Sequence, residues 1–208
     1  MVSPVAEHLG LEIFECERFL LPSECAEMRR CVDLARSGPA FVFERDAYVV
    51  RERHRRTLLA NVSPEIATWL IAKMSDLRPQ LEERFAVKLA ACASPEFLKY
   101  GPGDLFRPHR DTIDHDDVPP EVCEREISLI VFFNDQSERD DAPSYLGGEL
   151  VLFRDPAVST WATSRVPLAP AAGTLLAFRS NTLHEVREVT AGRRYTAVSW
   201  FYTRRFIP

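Results

Sequence analysis

The chain has 208 residues, 46% of them hydrophobic and 27% charged, with 26 Lys and Arg against 31 Asp and Glu for a formal net charge of −5. This suits one soluble globular domain with a sizeable core, and no apolar run approaches the roughly 18 residues that a membrane span needs. The acidic balance speaks against a nucleic-acid binder, whose phosphate contacts need a basic face.

The N-terminus, Met1 to His8, lacks the basic start and apolar core of a signal peptide. Cys16, Cys25, Cys31, Cys92 and Cys123 are odd in number and scattered, with no C-x-x-C pair. That pattern predicts free thiols in a reducing compartment, hence a cytoplasmic protein, and fits neither a disulfide frame nor a zinc site.

The first ninety residues read as mainly helical. Pro22-Ser23 starts a helix with Ser23 as N-cap, running to about Arg36 and stopped by Ser37-Gly38-Pro39. Residues 41–50 have strand chemistry around an Arg45-Asp46 turn. The run Arg51-Glu52-Arg53-His54-Arg55-Arg56 reads as a solvated face. Ser63-Pro64 starts a second helix whose stripe is Ile66, Trp69, Leu70 and Leu77, ending or kinking near Pro79.

After Phe85 the chain changes to short strand-like runs. The candidates are 87–92, 96–100, 105–109, 127–133, 149–153, 164–168, 174–178 and 194–203, punctuated by glycines at turns. Many short strands at this spacing indicate a sandwich or a jelly roll, with the helices packed on one sheet of the double-sheet core. Two long polar loops, Thr112–Glu126 and Asp135–Tyr145, flank the strand at 127–133 and read as lids.

Chemistry concentrates at His109-Arg110-Asp111. On a strand, positions two apart face the same way, so both side chains can reach one ion. Alone this is a weak signal. A kinase reading of H-R-D fails because the downstream Asn spacing, the glycine-rich phosphate loop and sufficient length are missing. With His184 the set becomes two imidazoles and one carboxylate, the face that holds ferrous iron and leaves positions open. Arg194, ten residues further on, could pair bidentately with an anionic cosubstrate. His8, His54 and His115 have no partners at such spacing.

Lys99-Tyr100-Gly101, His109-Arg110-Asp111, Gly147-Gly148-Glu149, the Pro170–Phe178 strand, His184, Arg194 and Trp200 occur in one order. Over residues 95–203 this order closely resembles the iron(II)/2-oxoglutarate-dependent oxygenases of the prolyl 4-hydroxylase-like superfamily. The resemblance implies an α+β fold with a double-stranded β-helix (jelly roll) core and N-terminal helices on one sheet. It places a single domain over 1–208, with 1–90 as mainly helical support and 91–208 as the core. It implies His109, Asp111 and His184 as iron ligands and Arg194 on the distal carboxylate of 2-oxoglutarate. Tyr100 would lie near that cosubstrate. Arg193 is the alternative to Arg194, but strand parity sets Arg194 with Thr196, Val198 and Trp200 and turns Arg193 to solvent.

Many relatives carry a tyrosine where this chain has Phe132 or Phe133. The implied cofactors are Fe(II), 2-oxoglutarate and O2, with ascorbate as a supporting reductant. The implied reaction couples decarboxylation of the cosubstrate to succinate with hydroxylation of an unactivated C–H bond. Asp111 favours hydroxylation, because related halogenases carry a small residue there. Substrates at family level are a prolyl or other amino-acid residue, free or in a peptide or protein, or a small natural-product precursor. The competing readings are a nucleic-acid alkyl-lesion dioxygenase, which the acidic balance disfavours, and a non-catalytic jelly-roll metal-binding or sensing module, which has no need of Arg194. Neither a membrane nor a nucleic acid is an expected partner, and oligomeric state is not readable.

Overall fold

The computed structural model describes residues 11–44, 47–113, 118–137, 143–154 and 165–203. His8 and His115, the 45–46 turn and parts of both expected lids lie outside these residues.

Strand β1 (Ile13–Cys16) precedes helix α1 (Pro22–Leu34). The N-cap is Leu21 and not Ser23. Pro22 fills the first helical turn, where its missing N–H costs nothing, and the extended residue before it becomes the cap. The backbone N–H of Leu21 donates to the Glu24 carboxylate at 2.8 Å.

Five short strands follow: β2 (Ser37–Pro39), β3 (Val42–Glu44), β4 (Ala47–Val49), β5 (Arg55–Arg56) and β6 (Leu58–Ala60). The first ninety residues thus carry short strands beside their helices. Runs of two or three residues are too short to show alternation, so their pairing is set by neighbours; β3 and β4 pair with each other. β6 pairs the strand at 96–100, β2 pairs β6, and β5 pairs the strand at 105–109. Ser37-Gly38-Pro39 thus ends α1 and also forms a sheet strand.

Helices α2 (Pro64–Ser75) and α3 (Arg78–Phe85) complete this half. Pro79 does not kink one long helix; it sits in the first turn of α3.

The remaining strands are β7 (Leu89–Cys92), β8 (Glu96–Tyr100), β9 (Leu105–His109), β10 (Arg125–Phe132), β11 (Tyr145–Gly147), β12 (Leu150–Phe153), β13 (Arg165–Leu168), β14 (Leu175–Arg179), β15 (His184–Val186), β16 (Val189–Gly192) and β17 (Arg194–Thr203). A four-residue helix, α4 (Pro120–Cys123), precedes β10. Among the described residues the strands make an eight-stranded sheet in the order β1-β14-β10-β17-β8-β6-β2, with β7 also on β17. A five-stranded sheet runs β13-β12-β15-β9-β5, and β11-β16 and β3-β4 form two-stranded sheets. All the strand pairs are antiparallel.

Alternation along β10 divides the interior. Ile127, Leu129 and Val131, with Phe133 just beyond, share a cluster with Val32, Leu70 and Leu81 of the helices. Ile130 and Phe132 face the other way and pack with Leu150 and Leu152 of the smaller sheet. Leu70 and Leu81 are fully buried, which is worth about 1.5–3 kcal/mol each relative to exposure. The two faces of β10 thus belong to two different clusters.

Gly173 closes the turn before β14. Its φ is +84°, and a Cβ there would stand 2.3 Å from the Leu20 carbonyl oxygen. Its own carbonyl accepts from Leu20 N at 3.0 Å, tying the entry of α1 to the large sheet. Gly173→Ala is expected to cost at least about 1–3 kcal/mol, read as a lowered urea midpoint; an unchanged midpoint would refute this account of the turn.

The five cysteines are all free, Cys25 is buried, and burial pushes the Cys92 thiol up to about 11. Alkylation of the native protein at pH 8 should leave Cys25 and Cys92 unmodified, and five alkylated cysteines should appear on unfolding without reductant. Rapid native labelling of Cys92 in a mass spectrum would contradict it.

Candidate metal centre and anion site

The centre is built on the pairing of β9 with β15. Their register sets His184 directly opposite His109. Asp111 lies two residues past His109 in the bend that leaves β9, where its N–H donates to the Ser180 carbonyl at 2.9 Å. The ligand atoms of His109, Asp111 and His184 all lie within 4.8 Å of one another. Asp111 Oδ1 is 3.6 Å from His109 Nε2, and Oδ2 is 3.7 Å from His184 Nε2.

Both imidazoles are held in the tautomer that a metal needs. Nδ1 of His109 donates to the Arg107 carbonyl at 2.8 Å, and Nδ1 of His184 to the Thr182 carbonyl at 2.9 Å. Each Nε2 lone pair is therefore turned to the shared space beside Asp111. Ring packing fixes the planes: His109 stacks on Phe106, and His184 meets Phe178 edge-on at 4.9 Å.

Burial, then the neighbouring His184, holds His109 down to about 4 against the pull of Asp111, so it is neutral at neutral pH. Burial opposes ionisation of Asp111, but the two histidines and Arg125 outweigh it and hold the carboxyl well below its usual range. Two imidazoles and one carboxylate on one face fit a ferrous ion.

The triad opens on a cavity of about 560 Å³. Arg194, Thr196, Val198 and Trp200 of β17 all line it, as the parity of that strand requires, and Arg193 is exposed. Arg194 is only 1% exposed. Its Nη1 donates to Thr196 Oγ1 at 3.2 Å, whereas Nε and Nη2 have no hydrogen-bond partner. No carboxylate among the described residues pairs with it. A buried guanidinium left so is costly unless an anion completes it, and the residues fit a bound carboxylate.

Tyr100 is opposite Arg194 in the β8–β17 register and lines the same cavity. Its ring centroid is 5.2 Å from the guanidinium, and its hydroxyl pairs with Thr57. Phe132 also lies 5.2 Å from the guanidinium, while Phe133 stacks on Phe97 in the helix-facing core. The phenylalanine beside the anion site is thus Phe132.

Several residues of the site have no mark of their own in the sequence. Tyr145 is buried beside Arg194, whose charge it feels. Gly148 lets the two approach, since a Cβ there would stand 3.2 Å from both Arg194 Cδ and the Tyr145 ring. The basic run 51–56 is exposed at Arg51, Arg53 and Arg56, but Arg55 corrects the solvated reading. It is 9% exposed, pairs with Glu96 at 2.8 Å, donates to the Phe41 carbonyl and lies over the Phe106 ring in the cavity wall. His54 also lines the cavity, edge-on to Phe106. Arg55 and Thr57, two apart, are both buried.

From the first expected lid, Thr112, Ile113 and Val122 line the cavity. None of the described residues of the second, apart from its neighbour Tyr145 against Arg194, reaches the site.

Comparison with known proteins agrees with this geometry. Residues 95–202 match the model of the 2OG-Fe(II) oxygenase superfamily. PKHD-type hydroxylases of Picosynechococcus and of a Caulobacter species are 34% and 32% identical over 50% and 51% of this chain. Those alignments cover only 39% and 42% of the relatives, so the chain spans well under half the length of the curated relatives it matches. In fold, the chain is similar to a Pseudomonas putida prolyl-4-hydroxylase, with a TM-score of 0.69 at 24% identity over 98% of this chain and all of that one. It is also similar to a Trichoplax adhaerens prolyl hydroxylase solved with a hypoxia-inducible-factor peptide fragment, with a TM-score of 0.72 at 18% identity over 99% and 89% of the two chains. With the family model matched across the site-bearing half, the chain belongs to the 2OG-Fe(II) oxygenase superfamily, whose chemistry takes Fe(II), 2-oxoglutarate and O2.

Proposed function

We propose that the protein is an iron(II)- and 2-oxoglutarate-dependent hydroxylase acting on a prolyl or other amino-acid residue, free or within a peptide or protein. The observation that carries this reading is the buried, carboxylate-free guanidinium of Arg194 in the same cavity as the His109–Asp111–His184 face. A module that used the metal structurally would have no use for that charge.

The roles follow from the geometry. His109, Asp111 and His184 hold the iron by one face. Arg194 receives the distal carboxylate of the cosubstrate, with the Thr196 hydroxyl beside it and Tyr100 on the cavity wall. Iron and cosubstrate, when bound, supply the oxidation of an unactivated C–H bond, coupled to formation of succinate and carbon dioxide. The protein's share is orientation and exclusion of water. Leu98, Ile130, Val186 and Val198 give the cavity apolar walls, and Trp200 and Arg125, stacked at 3.6 Å, line it as well. A single domain over 1–208 and a cytoplasmic setting, in keeping with five free thiols, complete the proposal.

The peptide in the Trichoplax relative supports an amino-acid residue as target. The net charge of −5, with Arg55 spent on Glu96, does not favour nucleic acid.

Release of succinate with iron(II), ascorbate and 2-oxoglutarate tests the reaction. Arg194→Ala is expected to weaken 2-oxoglutarate binding about tenfold to a hundredfold, the worth of a charged hydrogen-bonded contact, measured by calorimetry on Mn(II)-loaded protein. Unchanged affinity would remove Arg194 from the role. His109→Ala and Asp111→Ala should each abolish succinate formation with the circular-dichroism spectrum of the native fold; normal turnover in either would sink the triad assignment.

A further inference from the structure

A buried serine stands where β10 calls for an apolar residue. Along Ile127 to Phe133, Ser128 shares the cavity-side face with Ile130 and Phe132, and it is 1% exposed. A buried hydroxyl costs free energy unless it is hydrogen-bonded, and a small apolar residue would fit the pattern without that cost. Its partners explain it. Ser128 Oγ lies 2.7 Å from Asp111 Oδ2 and 2.9 Å from the Oγ of Ser180, which is fully buried just after β14.

The protons in this chain can be assigned. A metal-ligating carboxylate accepts and never donates, so the single Ser128 proton goes to Oδ2 of Asp111. Ser128 then accepts from Ser180, whose proton is the free one. Ser180 is held in turn, its N–H donating to the Glu126 carbonyl at 2.9 Å and its own carbonyl accepting from Asp111 N. β10 and the end of β14 therefore grip one oxygen of Asp111. That oxygen, Oδ2, is also 3.7 Å from His184 Nε2, while Oδ1 is 3.6 Å from His109 Nε2 and has no hydroxyl on it among the described residues.

We infer that Ser128 is a positioning residue that fixes the orientation of the Asp111 carboxylate in the metal centre. The inference rests on reading the triad as the metal centre. With Oδ2 held by the Ser128 hydroxyl, rotation of the carboxylate is restrained and Asp111 keeps its place between the two imidazoles. Ser180 acts one step back, orienting the Ser128 hydroxyl.

The test is metal affinity, read without turnover. Mn(II) is titrated into metal-free protein and the free ion followed by electron paramagnetic resonance, with circular dichroism and thermal midpoint reporting the fold. Ser128→Ala and the bulkier Ser128→Val are expected to weaken Mn(II) binding about tenfold to a hundredfold, as loss of a partner behind a metal ligand does. Ser128→Thr keeps the hydroxyl and should stay within about threefold. Ser180→Ala should lose less than Ser128→Ala. Native affinity in both Ser128→Ala and Ser128→Val would overturn the inference, and so would a Thr variant as weak as the Ala variant, since shape and not the hydroxyl would then matter. His109→Ala separates the two readings: Mn(II) binding at native affinity in that variant would sink the metal centre itself, whatever Ser128 does.

Discussion

The pairing of β9 with β15 is the contact on which the rest depends. It joins two segments 75 residues apart in sequence, His109 and His184, and sets them opposite each other across an antiparallel ladder. Adjacent imidazoles on neighbouring strands would repel if both were charged. They are kept usable by burial and by two backbone carbonyls, from Arg107 and Thr182, that take up the Nδ1 protons. The same ladder is extended by β12 and β5. One small sheet therefore supplies both histidines, the Phe106 against which His109 stacks, and Arg55 beneath that ring.

The large sheet answers with charge. β17 enters the core at Arg194, and β8 and β10 set Tyr100 and Phe132 against its guanidinium. Aromatic faces lower the cost of burying a cation but do not replace an acceptor. Arg55 is the contrasting case in the same cavity: Glu96 and the Phe41 carbonyl take its two Nη groups, and only its Nε lacks a partner. Arg194 has neither a carboxylate nor a backbone carbonyl on it among the described residues, only the Thr196 hydroxyl.

Strands with a clear period were legible from sequence. β8, β9 and β17 fall where alternation and glycine punctuation put them, and the parity of β17 turns Arg194 into the cavity and Arg193 to solvent. Elements without a period of their own were not. β2, β5 and β6 have two or three residues each, and β15 has three, so their pairing is dictated by neighbours far away in the chain. The helix starts at Pro22 and Pro64 were legible, but the cap before Pro22 is Leu21 and not Ser23, and Pro79 lies in the first turn of a further helix that begins at Arg78. Arg55 sits in a charge run that is otherwise exposed, and nothing in its immediate neighbours distinguishes it from Arg53 or Arg56.

The sequence by itself pointed to the chemistry. The order of His109, Asp111, His184 and Arg194 on strand-like segments, through its resemblance to the 2-oxoglutarate oxygenases, was sufficient to mark them as one candidate set. Tertiary structure decided what surrounds them: Ser128 on Oδ2 of Asp111 with Ser180 behind it, Phe106 and Phe178 against the imidazoles, and Phe132, not Phe133, beside Arg194. The physical reason is the range of the interactions. A ligand is recognisable from its own side chain, whereas its support comes from strands tens of residues away, brought within hydrogen-bonding distance only when the two sheets close on each other.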